Sequence, residues 1–232
     1  MKPDRRGKAS AASGTARHAR APQRVRIIGG RFKRTPLPVA DAPGLRPTPD
    51  RVRETLFNWL AHLRPDPVAL RGLDAFAGTG ALGFELASRG AARVLMIERA
   101  APLAAQLRAM RDKLGADGVD VRHGDALVLL RDLAARGERF DLVFLDPPFG
   151  AGLHAPALAA ALPLLAPHGL VYVESDAAQD VLAASHGLLP VRALKAGQVH
   201  AQLFARAADR PAHGDDPPDG ASDTHLPPPA DH

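Results

Sequence analysis

Residues 73–83 read L-D-A-F-A-G-T-G-A-L-G, and this stretch decides the fold. An apolar strand runs here into a turn rich in glycine and then into a helix that starts near Gly80. Glycine lets the backbone approach a ligand closely, and the first turn of a helix offers unpaired N–H groups. Gly78, Gly80 and Gly83 have the G-x-G-x-x-G spacing of a dinucleotide-binding fingerprint. The stretch therefore predicts a strand–turn–helix unit that binds a cofactor containing a nucleoside.

Two acids narrow the choice of cofactor. Glu98 ends a second apolar run, residues 94–97. Its spacing from the glycine turn is that of an acid that binds ribose hydroxyls. Asp74 lies inside the glycine turn, where it would repel a pyrophosphate but suit the ammonium group of an amino acid. S-adenosylmethionine (SAM) therefore fits these residues better than NAD does, and a dehydrogenase is the weakest alternative.

A third apolar strand, near 140–146, runs into Asp146-Pro147-Pro148-Phe149, which suits chemistry on the amino group of a nucleobase. Because proline has no N–H, the carbonyls around this step have few local donors and can accept from an outside amine. Asp146 adds an anionic acceptor, and Phe149 can stack on a base, a contact worth roughly 1–3 kcal/mol. These four residues are the candidate catalytic group. A strand-ending turn is the alternative, because proline and aspartate are common in turns.

Apolar segments of strand and helix type alternate over the rest of the chain, which predicts an α/β fold with a mostly parallel sheet covered on both faces. Ligands of such sheets bind at the carboxyl ends of the strands. Asp74, Glu98 and Asp146 each lie at such an end, and Asp125 lies just past another, where it is also a candidate helix cap. Strands are predicted near 70–76, 92–98, 119–122, 140–146, 169–174, 188–195 and 199–206, and helices near 80–89, 100–114, 124–136, 152–165 and 176–185.

Several segments together resemble a known family. They are residues 25–30 (V-R-I-I-G-G), residues 44–60 (G-L-R-P-T-P-D-R-V-R-E-T-L-F-N-W-L), the two motifs above and residues 171–175 (V-Y-V-E-S). Over roughly residues 24–206 the chain resembles the bacterial RsmD-type methyltransferases, which methylate the N2 amino group of one guanine, at position 966 of 16S ribosomal RNA, with SAM. His200 and Gln202 depart from the family pattern, which leaves the part of the last strand in RNA contact open.

The resemblance implies a Rossmann-like class I methyltransferase fold, with seven strands, an antiparallel last strand and an N-terminal β-hairpin. It also implies which residues bind SAM and which hold the guanine, the latter being Asp146, Pro147, Pro148 and Phe149. The candidate SAM-binding residues are Thr48, Asp74, Phe76, Gly78, Thr79, Gly80, Glu98, Arg99, Asp125 and Ala126.

Composition agrees with one domain that acts without metal or thiol. At 232 residues with 46% hydrophobic content, the chain can bury one sizeable core. The absence of cysteine excludes disulfides and the cysteine nucleophile of C5-pyrimidine methylation, and the histidines show no zinc-binding spacing. Residues 147–173 lack charged side chains, but their prolines and glycines argue against a membrane-spanning helix.

Charge divides the chain into three parts. Residues 1–35 hold eleven Lys or Arg against one acid, residues 36–208 hold eighteen of each sign, and residues 209–232 hold six acids against one base. We expect a disordered basic arm over 1–23, a methyltransferase domain with its hairpin over 24–208, and a disordered acidic, proline-rich tail over 209–232. The arm is either a phosphate-binding tether or a solubilising tail, and its composition also allows a transit peptide.

Basic residues flank the arm's junction with the core. Residues 25–28 and 31–33 surround Gly29-Gly30, which predicts a hairpin with cations on both strands, and a purely structural hairpin is the alternative. The helix that follows has Asp50 as candidate cap and Trp59 in the core. Arg51 and Arg53 lie on different helix faces, which favours separate tasks. The candidate RNA contacts are Arg24, Arg26, Arg31, Lys33, Arg34, Arg46, Arg51 and Arg53.

The sequence thus predicts a cytoplasmic, monomeric enzyme that transfers the SAM methyl group directly to a guanine N2. Its expected substrate is small-subunit ribosomal RNA, within a partly assembled 30S particle, and no metal or membrane is expected. Two alternatives remain. An adenine-N6 methyltransferase of DNA could use the same four-residue motif, and a non-catalytic RNA-binding assembly factor could keep the same fold.

Overall fold

The computed structural model describes residues 25–39 and 48–209 of the chain. The predicted basic arm and the acidic tail beyond Asp209 lie outside these residues, as do the candidate RNA contacts Arg24 and Arg46. Within the described ranges, strands and helices alternate in the order that the apolar pattern predicts.

The strands and helices have the following bounds. The strands are β1 (Val25–Arg26), β2 (Pro36–Leu37), β3 (Arg71–Asp74), β4 (Arg93–Glu98), β5 (Val119–His123), β6 (Phe140–Leu145), β7 (Leu165–Ser175), β8 (Leu188–Ala196) and β9 (Val199–Arg206). The helices are α1 (Asp50–Leu63), α2 (Ala81–Ser88), α3 (Ala101–Leu114), α4 (Ala126–Ala135), α5 (His154–Ala161) and α6 (Asp180–Ser185).

Seven of these strands form one sheet in the order β5-β4-β3-β6-β7-β9-β8. Strands β3 to β7 are parallel to their neighbours among themselves, and β9 runs antiparallel to both β7 and β8. The chain builds outward from β3 to β5 and then returns to β6 on the other side of β3. The order of the strands therefore reverses between β3 and β6, and a ligand crevice opens at the carboxyl ends of strands at such a point.

Alternate residues of the strands pack on opposite faces, as the period of a β-strand requires. On one face Phe144 contacts Tyr172 and Phe57, with ring centroids 6.0 and 6.2 Å apart, and α1 covers this face. On the other face Val143 and Val171 pack with buried residues of α4 and α5. The uncharged stretch 147–173 forms a loop, α5 and part of β7, and no helix in the described residues is long and apolar enough to cross a membrane.

The N-terminal hairpin differs in register from the one predicted. Val25 pairs with Leu37 and Arg26 with Pro36, so the second strand is 36–37 and the expected strand at 31–33 was wrong. Residues 31–34 form the turn instead. Gly29-Gly30 is not the hairpin turn, because Gly30 lies against α2, and a Cβ there would be 1.9 Å from the carbonyl oxygen of Ser88.

The first helix also begins differently from the prediction. Pro49 occupies the cap position, and its carbonyl accepts from the N–H groups of Val52 and Arg53. The expected cap at Asp50 was wrong, because Asp50 lies in the first helical turn, where its Oδ1 is 2.6 Å from a guanidinium nitrogen of Arg53. Trp59 is partly buried and packs against the core, as expected.

Candidate active site

An acid stands at the carboxyl end of each of four adjacent strands. In sheet order they are Glu98 of β4, Asp74 of β3, Asp146 directly after β6 and Glu174 of β7. We call this set the acidic row. The charges of neighbouring acids raise the pKa of Asp74 and of Asp146, so the middle of the row is suited to a cationic ligand.

The register of the sheet puts the acidic row on one face. Asp74 is paired with Phe144, and Phe144 is paired with Tyr172, so Asp146 and Glu174 follow two residues later on the same side. Paired residues of neighbouring strands point to the same face. Asp146 therefore lies beside Glu174 and beside Asp74, at the point where the strand order reverses.

The glycine-rich turn places a helix N-terminus beside the row. Gly80, directly before α2, has a φ of +77°, and a Cβ there would lie 2.6 Å from a methyl carbon of Leu107. Only glycine accommodates both conditions. A Cβ at Gly83 would lie 2.4 Å from Met96, so the helix and β4 also approach each other closely. The turn is thus fixed in shape by its neighbours, which suits a rigid binding loop.

Asp74 is buried and half-satisfied. Its Oδ2 accepts a hydrogen bond from the N–H of Gly83 at 3.1 Å, while its Oδ1 is buried without a hydrogen-bond partner in the described residues. The pKa of Asp74 is raised to about 7, chiefly by burial and also by the charge of Glu98, while the backbone N–H groups of Gly83 and Phe76 act in the opposite direction. A buried acceptor without a donor is costly, so this oxygen is suited to an incoming ammonium group.

Glu98 holds the glycine turn in place. Its Oε2 accepts from the N–H of Gly78 at 2.9 Å, and its Oε1 accepts from the N–H of Ala100 at 2.6 Å. The side chain is half-buried, so lone pairs on its oxygens remain for a ribose hydroxyl. Glu98 thus joins the turn to the start of α3, and its predicted ribose contact stays a prediction.

The other candidate SAM-binding residues surround this turn in several environments. Asp125 caps α4, because its Oδ1 accepts from the N–H of Val128 at 3.2 Å, while the residue stays exposed. Thr79 and Ala126 are buried, Phe76 is half-buried, and Arg99 is exposed. Thr48 lies at the other side of the crevice, where its Oγ1 is 3.4 Å from Oδ2 of Asp146.

Asp146 has the environment of a carboxyl group that resists ionisation. Burial raises the pKa of Asp146 well above its usual value, and the charges of Glu174 and Asp74 raise it further. The hydroxyl of Thr48 acts in the opposite direction. A carboxylate with a raised pKa is a stronger base than an ordinary one, which suits proton transfer from a substrate amine.

Glu174 and Tyr172 complete this end of the site and carried no predicted role. The Tyr172 hydroxyl donates to Oε2 of Glu174 at 3.0 Å, and both residues are buried. Burial raises the pKa of Tyr172 above its usual value, and Glu174 and Asp146 contribute to the rise. The sequence did contain a signal for Glu174, because it is an acid that directly follows the apolar run 170–173. The same pattern identified Glu98.

The loop after Asp146 is tied back to β7. Pro147 is buried, Pro148 is exposed and Phe149 is half-buried. Nε2 of His154, at the start of α5, lies 3.0 Å from the carbonyl oxygen of Glu174. Because a carbonyl only accepts, this nitrogen carries the proton. The candidate base-stacking residue therefore lies on a loop anchored at both ends beside the acidic row.

The candidate RNA contacts divide into exposed and buried residues. Arg53 is completely buried, with one guanidinium nitrogen 2.9 Å from the carbonyl oxygen of Arg26, so its prediction as an RNA contact was wrong. The guanidinium of Arg31 stacks over the ring of Phe32 at 5.1 Å from its centroid. The exposed residues of the set are Arg26, Arg31, Lys33, Arg34 and Arg51.

The unusual Gln202 of the last strand has a structural task. It is buried, its Oε1 accepts from the N–H of Gln179 at 2.7 Å, and its Nε2 donates to Asp180 at 3.0 Å. Gln202 therefore fixes the start of α6, while His200 is half-buried. Within residues 25–39 and 48–209, no group of three or more metal-ligating side chains is arranged to hold a metal ion.

Comparison with known proteins agrees with this architecture. Residues 25–205 match the family model described as conserved hypothetical protein 95. The ribosomal RNA small subunit methyltransferase D of Escherichia coli strain K12 is 41% identical over 197 residues, which span 82% of this chain and 94% of that protein. The protein of the same name from Haemophilus influenzae is 40% identical over 156 residues, which span 66% of this chain and 79% of the relative.

Solved structures show the same fold. One from Escherichia coli, named as a candidate methyltransferase, superposes with a TM-score of 0.70 at 40% identity, over 79% of this chain and 98% of that one. The sheet order, the glycine turn and these neighbours define a Rossmann-like class I methyltransferase. More closely, the chain belongs to the RsmD family, whose curated members carry the name ribosomal RNA small subunit methyltransferase D.

Proposed function

We propose that the protein is a SAM-dependent ribosomal RNA methyltransferase that methylates the N2 amino group of a guanine in the small-subunit RNA. The observation that carries this proposal is the acidic row, with Asp146 and its Pro-Pro-Phe loop beside Asp74 at the strand-order reversal. Ribosomal RNA as substrate is supported by the names of the relatives. Position 966 of 16S RNA rests on the family resemblance alone.

The cofactor residues fit SAM. The unpartnered Oδ1 of Asp74 would accept from the ammonium group of its amino-acid part, and Glu98 would accept from the ribose hydroxyls. Asp125 and Ala126 would lie along the adenine, and Phe76, Gly78, Thr79, Gly80 and Arg99 would surround the turn. SAM supplies a methyl group on a positively charged sulfur, and the negative row favours that charge.

The acceptor residues would hold and deprotonate the amine. Asp146 and the carbonyl of Pro147 accept the two N–H bonds of the guanine N2, which favours the pyramidal form with an available lone pair. Bound SAM would supply the methyl group, with the nitrogen–methyl bond forming as the sulfur–methyl bond breaks, and the amine proton would then have to leave. The raised pKa of Asp146 makes its carboxylate the natural recipient. Phe149 would stack on the extruded base.

The same residues favour guanine over adenine. Guanine presents an N1–H donor beside N2, whereas adenine presents an N1 lone pair beside N6. A carboxylate at Asp146 attracts the donor and repels the lone pair. The adenine-N6 alternative therefore conflicts with the acidic character of this end of the site, to which Glu174 adds.

We expect N2-methylguanosine as the product. Incubation with labelled SAM and partly assembled small subunits, followed by digestion to nucleosides and mass spectrometry, would measure it. Naked RNA should react more slowly, because the family resemblance implies a target displayed by folded RNA. N6-methyladenine as the main product, or comparable methylation of duplex DNA, would overturn the assignment.

We also propose that the exposed hairpin cations bind RNA phosphates. Changing Arg26, Arg31, Lys33 and Arg34 to glutamine should weaken RNA binding and reduce the salt dependence by about 0.7 units of log–log slope per lost contact. The affinity for SAM should stay unchanged. Filter binding at several salt concentrations measures the slope.

A matched control is available on the opposite face of the sheet. Arg131, Arg136 and Arg139 are exposed and lie on or just after α4. Their replacement by glutamine should leave the salt slope at its wild-type value. An equal loss per neutralised cation in the two variants would indicate a general effect of net charge, and the hairpin would then have no specific part in RNA binding.

A further inference from the structure

Two completely buried charged side chains take no part in the proposed chemistry. Arg53 of α1 and Glu85 of α2 each have 0% exposure. Burying a charge is costly unless it is paired and hydrogen-bonded, so each needs partners. Both find them in the same place, the main chain of residues 26–29 at the start of the hairpin.

Glu85 binds two successive peptide N–H groups. Its Oε2 accepts from Ile28 at 2.6 Å, and its Oε1 accepts from Gly29 at 2.8 Å. Oε1 also accepts a hydrogen bond from Nε of Arg89 at 2.8 Å. The guanidinium of Arg89 lies over the ring of Phe57 of α1, 5.0 Å from the ring centroid. One carboxylate therefore joins the hairpin, α2 and, through Arg89, α1.

Ser88, one turn later on α2, continues these contacts. Its hydroxyl donates to the carbonyl of Gly29 at 2.5 Å and accepts from the N–H of Phe32 at 2.8 Å. Its own carbonyl accepts from the N–H of Arg31 at 2.7 Å. Gly30, with a φ of +74°, allows the close approach that these bonds require.

The hairpin depends on these contacts for its shape. Each of its strands has two residues, and a two-stranded hairpin is marginal in water even when it is longer. Arg53 holds the carbonyl of Arg26 from the α1 side, so the segment is fixed from two helices. One of these helices begins at the glycine turn, and the other begins beside Thr48 and Asp146.

We propose that Arg53, Glu85 and Ser88 form a clamp that positions the basic hairpin for RNA relative to the two walls of the active site. The clamp rests on the proposed role of the hairpin cations in RNA binding. Its members are positioning residues that act through Arg26, Arg31, Lys33 and Arg34. The distance between bound phosphates and the extruded base would then be set by buried hydrogen bonds on α1 and α2.

The test uses the full-length protein and the variants Glu85→Gln and Ser88→Ala. Each should raise KM for the RNA substrate roughly tenfold, because charged or buried hydrogen bonds are lost, while kcat and the Kd for SAM stay within about twofold of wild type. Asp132→Asn is the control, since Asp132 makes the same i,i+4 arginine pair on the exposed side of α4. It should change none of these values.

A double-mutant cycle separates positioning from a purely structural role. In the background with Arg26, Arg31, Lys33 and Arg34 changed to glutamine, Glu85→Gln should have no further effect on RNA binding, because the clamp acts through those cations. An additive loss, or an equal loss of SAM affinity, would overturn the clamp. If the neutralised background alone binds RNA normally, the hairpin's proposed RNA role fails instead. Should Glu85→Gln not fold, Ser88→Ala decides the result.

Discussion

Replacing Asp146 by alanine is expected to lower methyl transfer by roughly 10³-fold or more while the affinity for SAM stays nearly intact. The variant loses an acceptor for the substrate amine and the group that takes its proton, and each effect is typically worth 10²-fold or more. Asp146 contacts Thr48 and faces Glu174, and in the proposed site it faces the base. Single-turnover kinetics with saturating SAM measures the loss.

Glu98→Ala provides the contrasting variant. Glu98 holds the glycine turn through Gly78 and lies where the ribose is proposed, so its loss should weaken SAM binding directly. Calorimetric titration of both variants compares them. Similar losses of SAM affinity in the two would show that the cofactor and acceptor roles are not divided between these strand ends.

Asp74→Asn is expected to stabilise the ligand-free protein and weaken SAM binding at the same time. In the folded protein, burial raises the pKa of Asp74 from its usual value of 3.8 to about 7. Between these values the folded state binds more protons than the unfolded state, so stability falls as the pH rises through this window, and the cost is complete above it. At pH 8 this cost is on the order of 2–4 kcal/mol, and asparagine removes it.

Thermal unfolding and SAM titration at several pH values measure both effects. The gain in stability should be larger at about pH 8 than at about pH 5, by about 2–3 kcal/mol. As the pH is raised towards 7, the affinity of the wild-type protein for SAM should increase by up to about tenfold per pH unit, and above pH 7 it should level off. Asp74→Asn should bind SAM weakly at every pH. Asp132→Asn, on the exposed side of α4, should change neither property. A destabilised Asp74→Asn at pH 8 would contradict the assigned cost of burial.

The sequence predicts the sheet and the cofactor side of the site well, because these rest on local patterns. The glycine spacing at 78–83 and an acid after each apolar run are visible within a few residues. The structure confirms the order of strands and helices and puts Asp74, Glu98 and Asp146 at one edge. Glu174 had the same signal at the end of β7 and received no role, because the family motif around it carried no chemical argument.

The hairpin and its attachments could not be predicted in this way. Glu85 and Gly29 are 56 positions apart, and the local pattern of α2 does not show which distant backbone groups Glu85 binds. Arg53 was predicted as a phosphate contact because it is charged. Charge alone does not show that its face of α1 is buried against the hairpin. Gly29-Gly30 is typical of a hairpin turn, but contact with Ser88 decided its conformation.

The distance along the sequence between the hairpin and Glu85 also has a consequence for folding during synthesis. The hydrogen bond from Ile28 joins residues 57 positions apart, so the N-terminal segment is synthesised well before its anchor. At synthesis rates of about 5–20 residues per second, the delay is roughly 3–11 seconds. During that interval the cationic segment lacks the Glu85 carboxylate that holds its main chain in the folded protein. Its final conformation is therefore a late event of biosynthesis, reached once α2 has left the ribosome.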